Sequence, residues 1–496
     1  MMYKQVSYNH TMLAVSLMSF TVTATFFVLL TDTGGANLRF WLFVYLYLTI
    51  AVLFIWGYKG SENLDLFGPA PGLVVLLFLY SVASALYVEG TGTTNYRYIV
   101  TTGVLKTYYI SCILGLAGIA MGMLLAQRCR IYFDEGPIAR RFKIDDHTFF
   151  MKLIFYGIAI AIIFSPFIYN LFNFTEVPSY AERALPLRLD RREFLASGLS
   201  EFSLTILPVT LILCMATLLM ARTTMMWAKC VGASIFGAYI LTNTLAGWRG
   251  IIISTVTIPL VFYHYRIKHI TKFKAAIIVA MIYLFMNGVP VARFTSDPRE
   301  MFNAIYEEIS YRGFTFAELK SSGELLVGTN LMRLISGLED GETDFTYGSS
   351  VITELLVLVP RVIYPNRPLP LSEKFVNIFY PSVYSSGGGY GFFMLLEGFW
   401  AFGQIGVFLF LFIYGWSVQI VYQWFRRNMQ YDCVALLYSG IYLSLVLNAV
   451  RSGLMGSYKS ALMSILPFLL VIYLPAFNKK VKVRGTQLSE KSLPIR

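Results

Sequence analysis

Charged residues and histidine are scarce in this sequence. Only 14% of the 496 residues are charged and only four are histidine, whereas 56% are hydrophobic and the mean hydropathy is +0.62. A soluble globular domain carries roughly a quarter charged residues. The composition therefore excludes an ordinary soluble protein and is typical of a chain whose solvent is lipid.

Several sequence signals of known chemistry are also absent. No Walker GxxxxGK[ST] motif occurs, which excludes ATP-driven pumping by this chain. There is no internal repeat and no matching pair of Gly or Pro interruptions of the kind that inverted-repeat transporters carry. The five cysteines have neither metal nor redox spacing. We expect no disulfide, no metal site and no cofactor.

Apolar runs recur at the length that a membrane helix needs. A bilayer core about 30 Å thick is crossed by about 20 apolar residues, and such runs are helical because lipid offers no partner to an open backbone group. The predicted fold class is all-α, a polytopic integral membrane protein with about 12 transmembrane helices. We predict spans near 12–30, 38–56, 72–89, 105–126, 149–170, 199–221, 226–247, 250–264, 274–292, 392–422, 433–450 and 457–476.

The basic residues predict the orientation of these spans. Lys and Arg number 40 against 28 Asp and Glu, and they cluster after alternate spans and in the C-terminal tail. Because cytoplasmic loops carry the positive excess, the pattern puts both termini in the cytoplasm and indicates topology rather than nucleic acid binding. It divides the chain into spans at 1–292, a large external loop at 293–391, further spans at 392–478 and a basic cytoplasmic tail at 479–496.

Two sequence segments present arginine at predicted external boundaries, against the positive-inside bias. In GWRGIIIS, Trp248 and Arg249 close one span, and we interpret them either as an anion site or as an arginine that snorkels beside an interfacial Trp. In VPRVIYPNRP, a proline-rich turn presents Arg361 and Arg367, and a purely structural turn is the alternative. Tyr364 lies in the same turn.

Three more arginines, Arg293, Arg312 and Arg451, fall on the same predicted face of the membrane. Guanidinium groups stay charged and pair bidentately with phosphate oxygens, so several that converge from different helix ends would suit a pyrophosphate.

Two glutamates are candidates for acid–base chemistry. Glu397 lies inside a predicted span, where an ionisable group is costly unless it faces a partner or a cavity. We interpret it as a general base or as the partner of one of the arginines, with Glu354 as a second candidate. Tyr364 and Tyr390 could stack on a sugar ring, although membrane-interface belts use the same residues. His147, His264 and His269 map to the cytoplasmic side, which disfavours an external mechanism based on histidine.

These segments resemble the bacterial oligosaccharide repeat unit polymerases of the Wzy type, and in particular the branch that polymerises enterobacterial common antigen. The similarity rests on GWRGIIIS, on YRGFTF early in the large loop, on the V-P-x-x-x-Y-P-x-R-P element late in it, on a Gly-rich lead into a Gly-dotted span, and on an Arg-Ser-Gly near the end of the next span. It lies mostly between 240 and 460, and the N-terminal half is similar only in topology.

The resemblance implies a glycosyltransferase of the bacterial inner membrane that acts at the periplasmic face and makes O-antigen or a related surface polysaccharide. Both donor and acceptor would be glycans on undecaprenyl diphosphate, with a chain-length regulator and a flippase as partners implied by the family. The residues it implies as catalytic are Arg249, Arg312, Arg361, Arg367, Arg451 and Glu397, with Arg293, Trp248, Tyr364, Tyr390 and Glu354 as substrate-binding candidates.

Two other functions remain open at this point. An O-antigen ligase shares the topology and the donor, but the family's mechanism relies on an external histidine. A lipid-linked oligosaccharide flippase would be non-enzymatic, and it would carry charges in mid-span rather than at helix ends. The sugars and the linkage formed do not follow from the sequence.

Overall fold

The structure, a computed structural model, describes most of the N-terminal and C-terminal thirds of the chain. The described residues are 12–23, 36–59, 65–94, 98–129, 249–271, 325–357, 366–385 and 389–473, with short pieces of one to three residues between 226 and 364. The predicted spans at 149–170 and 199–221 lie outside them, as do most residues of those at 226–247 and 274–292.

The described part of the chain is all-α. An apolar helix over Met12–Thr23 precedes the labelled elements, a 3-10 turn covers Leu325–Gly328 and a π-helical turn covers Leu443–Leu447. The helices are α1 (Ala36–Lys59), α2 (Pro69–Thr91), α3 (Thr102–Arg128), α4 (Arg249–Arg266), α5 (Thr329–Glu339), α6 (Ser349–Val357), α7 (Leu371–Phe379), α8 (Pro381–Ser385), α9 (Leu395–Asn428), α10 (Asp432–Tyr442), α11 (Ala449–Ser452) and α12 (Leu454–Tyr473).

Helices α1, α2, α3 and α9 are long and apolar enough to cross a membrane, judged by length and composition. Their apolar segments are Leu38–Tyr58, Pro69–Thr91, Thr102–Arg128 and Leu395–Asn428. The chain is therefore a membrane protein of the all-α class. The full set of about twelve spans and the external loop stay predictions.

Helix α3 is buried in the centre and packs backbone to backbone against α9. A Cβ atom on Gly122 of α3 would lie 2.1 Å from the Phe412 carbonyl oxygen, and one on Gly415 of α9 would lie 2.4 Å from that of Ile119. Only glycine permits so close an approach. Membrane helices associate through this kind of packing because lipid tails provide no hydrophobic drive between them.

Helix α9 consists of two limbs that meet at a sharp break. Phe402 and Gly403 leave the helical conformation, and Gly403 has φ 61°. A Cβ on Gly406 would lie 2.0 Å from the Gly398 carbonyl oxygen, although residues eight apart in a straight helix are separated by about 12 Å. The short limb (395–401) therefore folds back along the long limb (404–428). The sequence predicts an uninterrupted span over 392–422, because one glycine among many apolar residues is a weak sign of a reversal.

One end of the bundle is held together by Asp65, which lies just before α2. Its Oδ2 accepts hydrogen bonds from the Tyr265 hydroxyl at 2.7 Å and the Tyr422 hydroxyl at 2.8 Å. His264 Nε2 lies 3.4 Å from Oδ1, and Arg426 Nη1 lies 3.6 Å from Oδ2. One carboxylate thus joins α2, α4 and the C-terminal turns of α9. We call this region the Asp65 end.

The ionised form of Asp65 is favoured by these partners. Burial alone would raise the pKa of Asp65, but hydrogen bonds from His264, Tyr265 and Tyr422 outweigh it and hold the pKa below its ordinary value. The carboxylate contributes stability that is present above the unfolded-state pKa of about 3.9 and is lost as the pH falls through the lower folded-state value.

We expect Asp65→Asn to lower the free energy of unfolding at pH 7 by about 2 kcal/mol, because a charged acceptor is removed from its donors. The variant should also lose part of the acid-side slope of stability. Denaturant unfolding in detergent micelles at several pH values measures both effects. Asp344→Asn, at an exposed position, is the matched control. Equal stability of Asp65→Asn and wild type would contradict this role of the carboxylate.

We expect Gly122→Ala to destabilise the protein by about 1–3 kcal/mol, because the new methyl group would push α3 away from α9. Gly103→Ala, in the first turn of the same helix, is the control, since its Cβ would meet nothing closer than the Thr101 hydroxyl at 3.8 Å. Thermal unfolding of the two variants side by side makes the comparison. A loss of the same size in both would mean that helix contact does not determine the effect.

Candidate functional site

The opposite end of the bundle contains extended backbone that is paired with other segments of the protein. The segment 389–394 runs beside 450–452, where the Phe392 N–H donates to the Arg451 carbonyl at 2.7 Å and the Met394 N–H to the Val450 carbonyl at 3.2 Å. The Asn330 side-chain amide donates to the Gly391 carbonyl at 2.7 Å. Such pairing is required because non-helical backbone at membrane depth is tolerated only where protein satisfies it.

A second irregular stretch faces this segment. The π-helical turn Leu443–Leu447 interrupts the regular α-helical hydrogen bonding that begins in α10. A break at Gly453, with φ 78°, separates α11 from α12. π-helical turns inside helices are frequent at functional sites. Together with the short limb of α9, the two stretches form what we call the Glu397 end.

Glu397 lies in the short limb of α9 and is only 4% exposed. The Met455 N–H, in the first turn of α12, donates to both carboxylate oxygens at 3.3 and 3.2 Å. A Cβ on Gly453 would lie 2.4 Å from Oε1, so the glycine makes room for the carboxylate. A buried carboxylate at a helix N-terminus is stabilised by the orphan N–H groups and by the helix dipole.

A second glutamate approaches from α6. Glu354 is buried, accepts a hydrogen bond from the Leu371 N–H, and is close enough to Glu397 for the two carboxylates to repel each other. Burial raises the pKa of Glu354 above its ordinary value, and the Leu371 N–H and the Lys459 ammonium offset this only in part. Glu354 of α6 is thus within electrostatic range of Glu397 in α9 and of Lys459 in α12.

The described candidate arginines have different surroundings. Arg451 is half-buried in α11 beside Gly391, whose Cβ would lie 3.1 Å from the Arg451 Cγ atom. Arg367 is 7% exposed, and its Nη1 donates to the Val359 carbonyl at 3.1 Å. Its backbone N–H donates to the Tyr364 carbonyl at 3.2 Å. Arg367 therefore braces the proline-rich turn in which it lies.

The other predicted site residues are placed in part or not at all. Arg249 begins α4, whose C-terminal turn lies at the Asp65 end, so its backbone lies about 27 Å along the helix toward the Glu397 end. Tyr364 is 40% exposed, and Tyr390 packs edge-on against Tyr380 with ring centroids 4.7 Å apart. The Arg249 side chain and the residues Trp248, Arg293, Arg312 and Arg361 lie outside the described part.

Comparisons with known proteins add nothing to this geometry. Neither protein-family models, nor curated proteins, nor solved structures give a match to this chain.

The Glu397 end can hold and release a proton in a region shielded from water. Glu397 and Glu354 are two buried carboxylates of like charge, an arrangement that suits acid–base chemistry. Within the described ranges, no group of three or more His, Cys, Asp or Glu is arranged to hold a metal ion. The sequence indicated both glutamates through the cost of burying a carboxylate, but it did not indicate Lys459, whose position is an ordinary helix-end lysine in sequence.

We expect Gly453→Ala to lower the free energy of unfolding by about 2 kcal/mol more than Gly341→Ala, because only the first substitution drives a methyl group into a carboxylate. Both glycines have positive φ, 78° and 74°, and nothing lies within 4 Å of a Cβ on Gly341. Unfolding in micelles measures both variants. Adding Glu397→Ala to Gly453→Ala should recover part of the loss. Additive effects would contradict the contact.

Proposed function

We propose that this protein is a glycosyltransferase that polymerises oligosaccharide repeat units linked to undecaprenyl diphosphate. In this proposal it acts at the periplasmic face of the bacterial inner membrane and makes O-antigen or a related surface polysaccharide. The observation that carries the proposal is the buried Glu397, which lies beside Glu354 in a pocket of irregular backbone that includes the Arg-Ser-Gly turn.

The reaction needs a base and a cationic site. The acceptor hydroxyl oxygen attacks the anomeric carbon of the donor glycan and forms the new glycosidic bond, while the bond from that carbon to the diphosphate oxygen breaks. The hydroxyl proton moves to Glu397, and the lipid diphosphate leaves with the electron pair. A positioned general base contributes about 10²–10⁴-fold to such a step.

The arginines of the site would stabilise the leaving diphosphate. Arg451 lies beside Gly391, in the segment that leads into the short limb of α9. Arg367 lies in the proline-rich turn that precedes α7. Charge on the diphosphate grows as the bond breaks, and preorganised cations at a low-dielectric membrane edge stabilise that charge strongly. Glu354 would favour proton uptake by Glu397, because protonation of Glu397 removes the repulsion between the two carboxylates.

The charges at the two ends support this orientation. The last turns of three helices at the Asp65 end carry Arg128, Arg266, Arg426 and Arg427. A cytoplasmic Asp65 end satisfies the positive-inside rule and turns the Glu397 end outward.

The alternatives fit the described residues less well. A ligase would need a histidine near the Glu397 end, whereas His264 and His269 lie at the Asp65 end, 3.3 Å from each other through Nε2 and Nδ1. A flippase would need charges in mid-span, whereas the carboxylates and arginines described above collect at the helix ends.

We expect Glu397→Gln or Arg367→Ala to abolish glycan lengthening in a deletion strain, since each removes a group that the transfer step requires. Gel analysis of lipopolysaccharide and of lipid-linked glycan measures the result, with single repeat units expected where wild type restores a ladder. Glu339→Gln and Arg427→Ala, both at exposed positions, are the matched controls and should restore the ladder.

Other outcomes would redirect the assignment. A deletion that leaves long glycans on the lipid carrier and none on the outer core indicates a ligase. Repeat units that accumulate on the cytoplasmic side indicate a flippase. A ladder restored by Glu397→Gln with loss of it in Arg367→Ala would remove Glu397 from the base role.

A further inference from the structure

Helix α5 carries a polar pair that the proposed transfer step does not use. Residues 329–337 are all buried, although they include Asn330, 2% exposed, and Arg333, 8% exposed. Residues three apart share one face of a helix. A guanidinium and an amide in the interior require partners, because burial of a polar group is costly unless it is hydrogen-bonded.

Arg333 is held rigidly by aromatic rings and one acid. Its guanidinium carbon lies 4.3 Å from the Tyr98 ring centroid and 4.6 Å from that of Phe379. Its Nη2 pairs with Glu342 Oε2 at 2.5 Å. Gly337 permits this arrangement, since a Cβ there would lie 2.3 Å from the Phe379 ring. The guanidinium plane is therefore fixed by its surroundings.

Two buried polar atoms of this pair are unused. In the part of the chain that the structure describes, Arg333 Nη1 and Asn330 Oδ1 are inaccessible to solvent and have no hydrogen-bond partner. The Asn330 amide nitrogen is engaged with the Gly391 carbonyl, which fixes the orientation of the oxygen. One donor and one acceptor on the same face of α5 thus lack a partner among the described residues.

Among the described residues, the surroundings of Arg333 are aromatic and carry no excess positive charge. Tyr380 feels the charge of Arg333 and packs edge-on against Tyr390. The Tyr98 hydroxyl donates to Asp340 Oδ2 at 2.6 Å. Because Glu342 and Asp340 balance Arg333, the cluster is a poor site for an anion. Rings, a fixed donor and a fixed acceptor match the apolar faces and hydroxyl groups of an uncharged sugar.

We propose that Asn330, Arg333, Tyr98, Tyr380 and Tyr390 form a saccharide subsite that holds an uncharged sugar of the acceptor. This subsite rests on the proposed function and deepens it. Asn330 binds the carbonyl of Gly391, and the next residue, Phe392, pairs with Arg451. The sugar site is therefore connected by backbone to the Glu397 end, so that a bound sugar would present its hydroxyl toward the base.

Saturation-transfer NMR on the purified full-length protein in micelles tests the subsite directly. The probe is the repeat-unit oligosaccharide released from the lipid carrier of the deletion strain by mild acid, which carries no diphosphate. We expect Arg333→Gln and Asn330→Leu each to weaken binding by about tenfold, the loss expected for one hydrogen bond to a fixed polar group. Arg427→Gln is the matched control and should bind like wild type.

Further measurements keep the test decisive if a variant fails to fold. Saturating oligosaccharide should raise the Tm of the wild-type protein, because a ligand that binds only the folded state stabilises it. Absence of such a shift overturns the proposal, as does binding equal to wild type by well-folded Arg333→Gln and Asn330→Leu. Displacement of the sugar by inorganic pyrophosphate through Arg333 would identify an anion site instead and would also overturn it.

The result is separable from the fate of the proposed polymerase. If sugar binding depends on Arg333 but deletion of the gene leaves glycan length unchanged, the saccharide subsite is supported and the polymerase function is refuted. If Glu397→Gln abolishes the glycan ladder but neither α5 variant changes sugar binding, the polymerase function is supported and the saccharide subsite is refuted.

Discussion

The direct backbone contact between α3 and α9 is the constraint on which the rest of the structure depends. Both limbs of α9 pack on α3, since a Cβ on Gly115 would touch Leu395 in one limb and Val407 in the other. The reversal at Phe402 and Gly403 is thereby fixed against the central helix. The depth at which the short limb carries its glutamate follows from this contact, as does the position of the long limb beside α2.

The buried carboxylates described here lie at the two ends of the bundle. The groups that offset the cost of burying them differ between the ends. At the Asp65 end, side-chain hydroxyls and basic groups surround one carboxylate. At the Glu397 end, backbone N–H groups of a helix start take that role. At the Asp65 end, groups from several helices pair with the carboxylate, which favours stability. The Glu397 end leaves its carboxylate close to another of the same sign, which is a strained arrangement typical of chemistry.

The sequence predicted the long apolar helices α1, α2, α3 and α9, because apolar runs of membrane length depend only on local composition. It also singled out Glu397 and Glu354, since an isolated carboxylate in an apolar segment is anomalous whatever the fold. The break in α9 was not predictable, because the reversal is determined by contact of Gly398 with Gly406 rather than by a local breaker.

Features made by distant residues escaped prediction for the same reason. Asp65 and Tyr265 lie 200 positions apart and meet only in the folded chain. Arg333 occurs in the segment TNLMRLISGLE, whose alternation of apolar and polar residues resembles an ordinary surface helix. Its burial arises from Tyr98 and Phe379, which come from other elements.

The glycine contacts also determine how the bundle responds to its solvent. Where two helices touch through backbone atoms, no layer of side chains can rearrange between them. A bilayer that is thinner or thicker than the helices must then be matched by tilting α3 and α9 as one unit, because mismatch is relieved by tilt more cheaply than by breaking such a contact. The separation between Asp65 and Glu397 is thus set by the protein and is independent of lipid thickness.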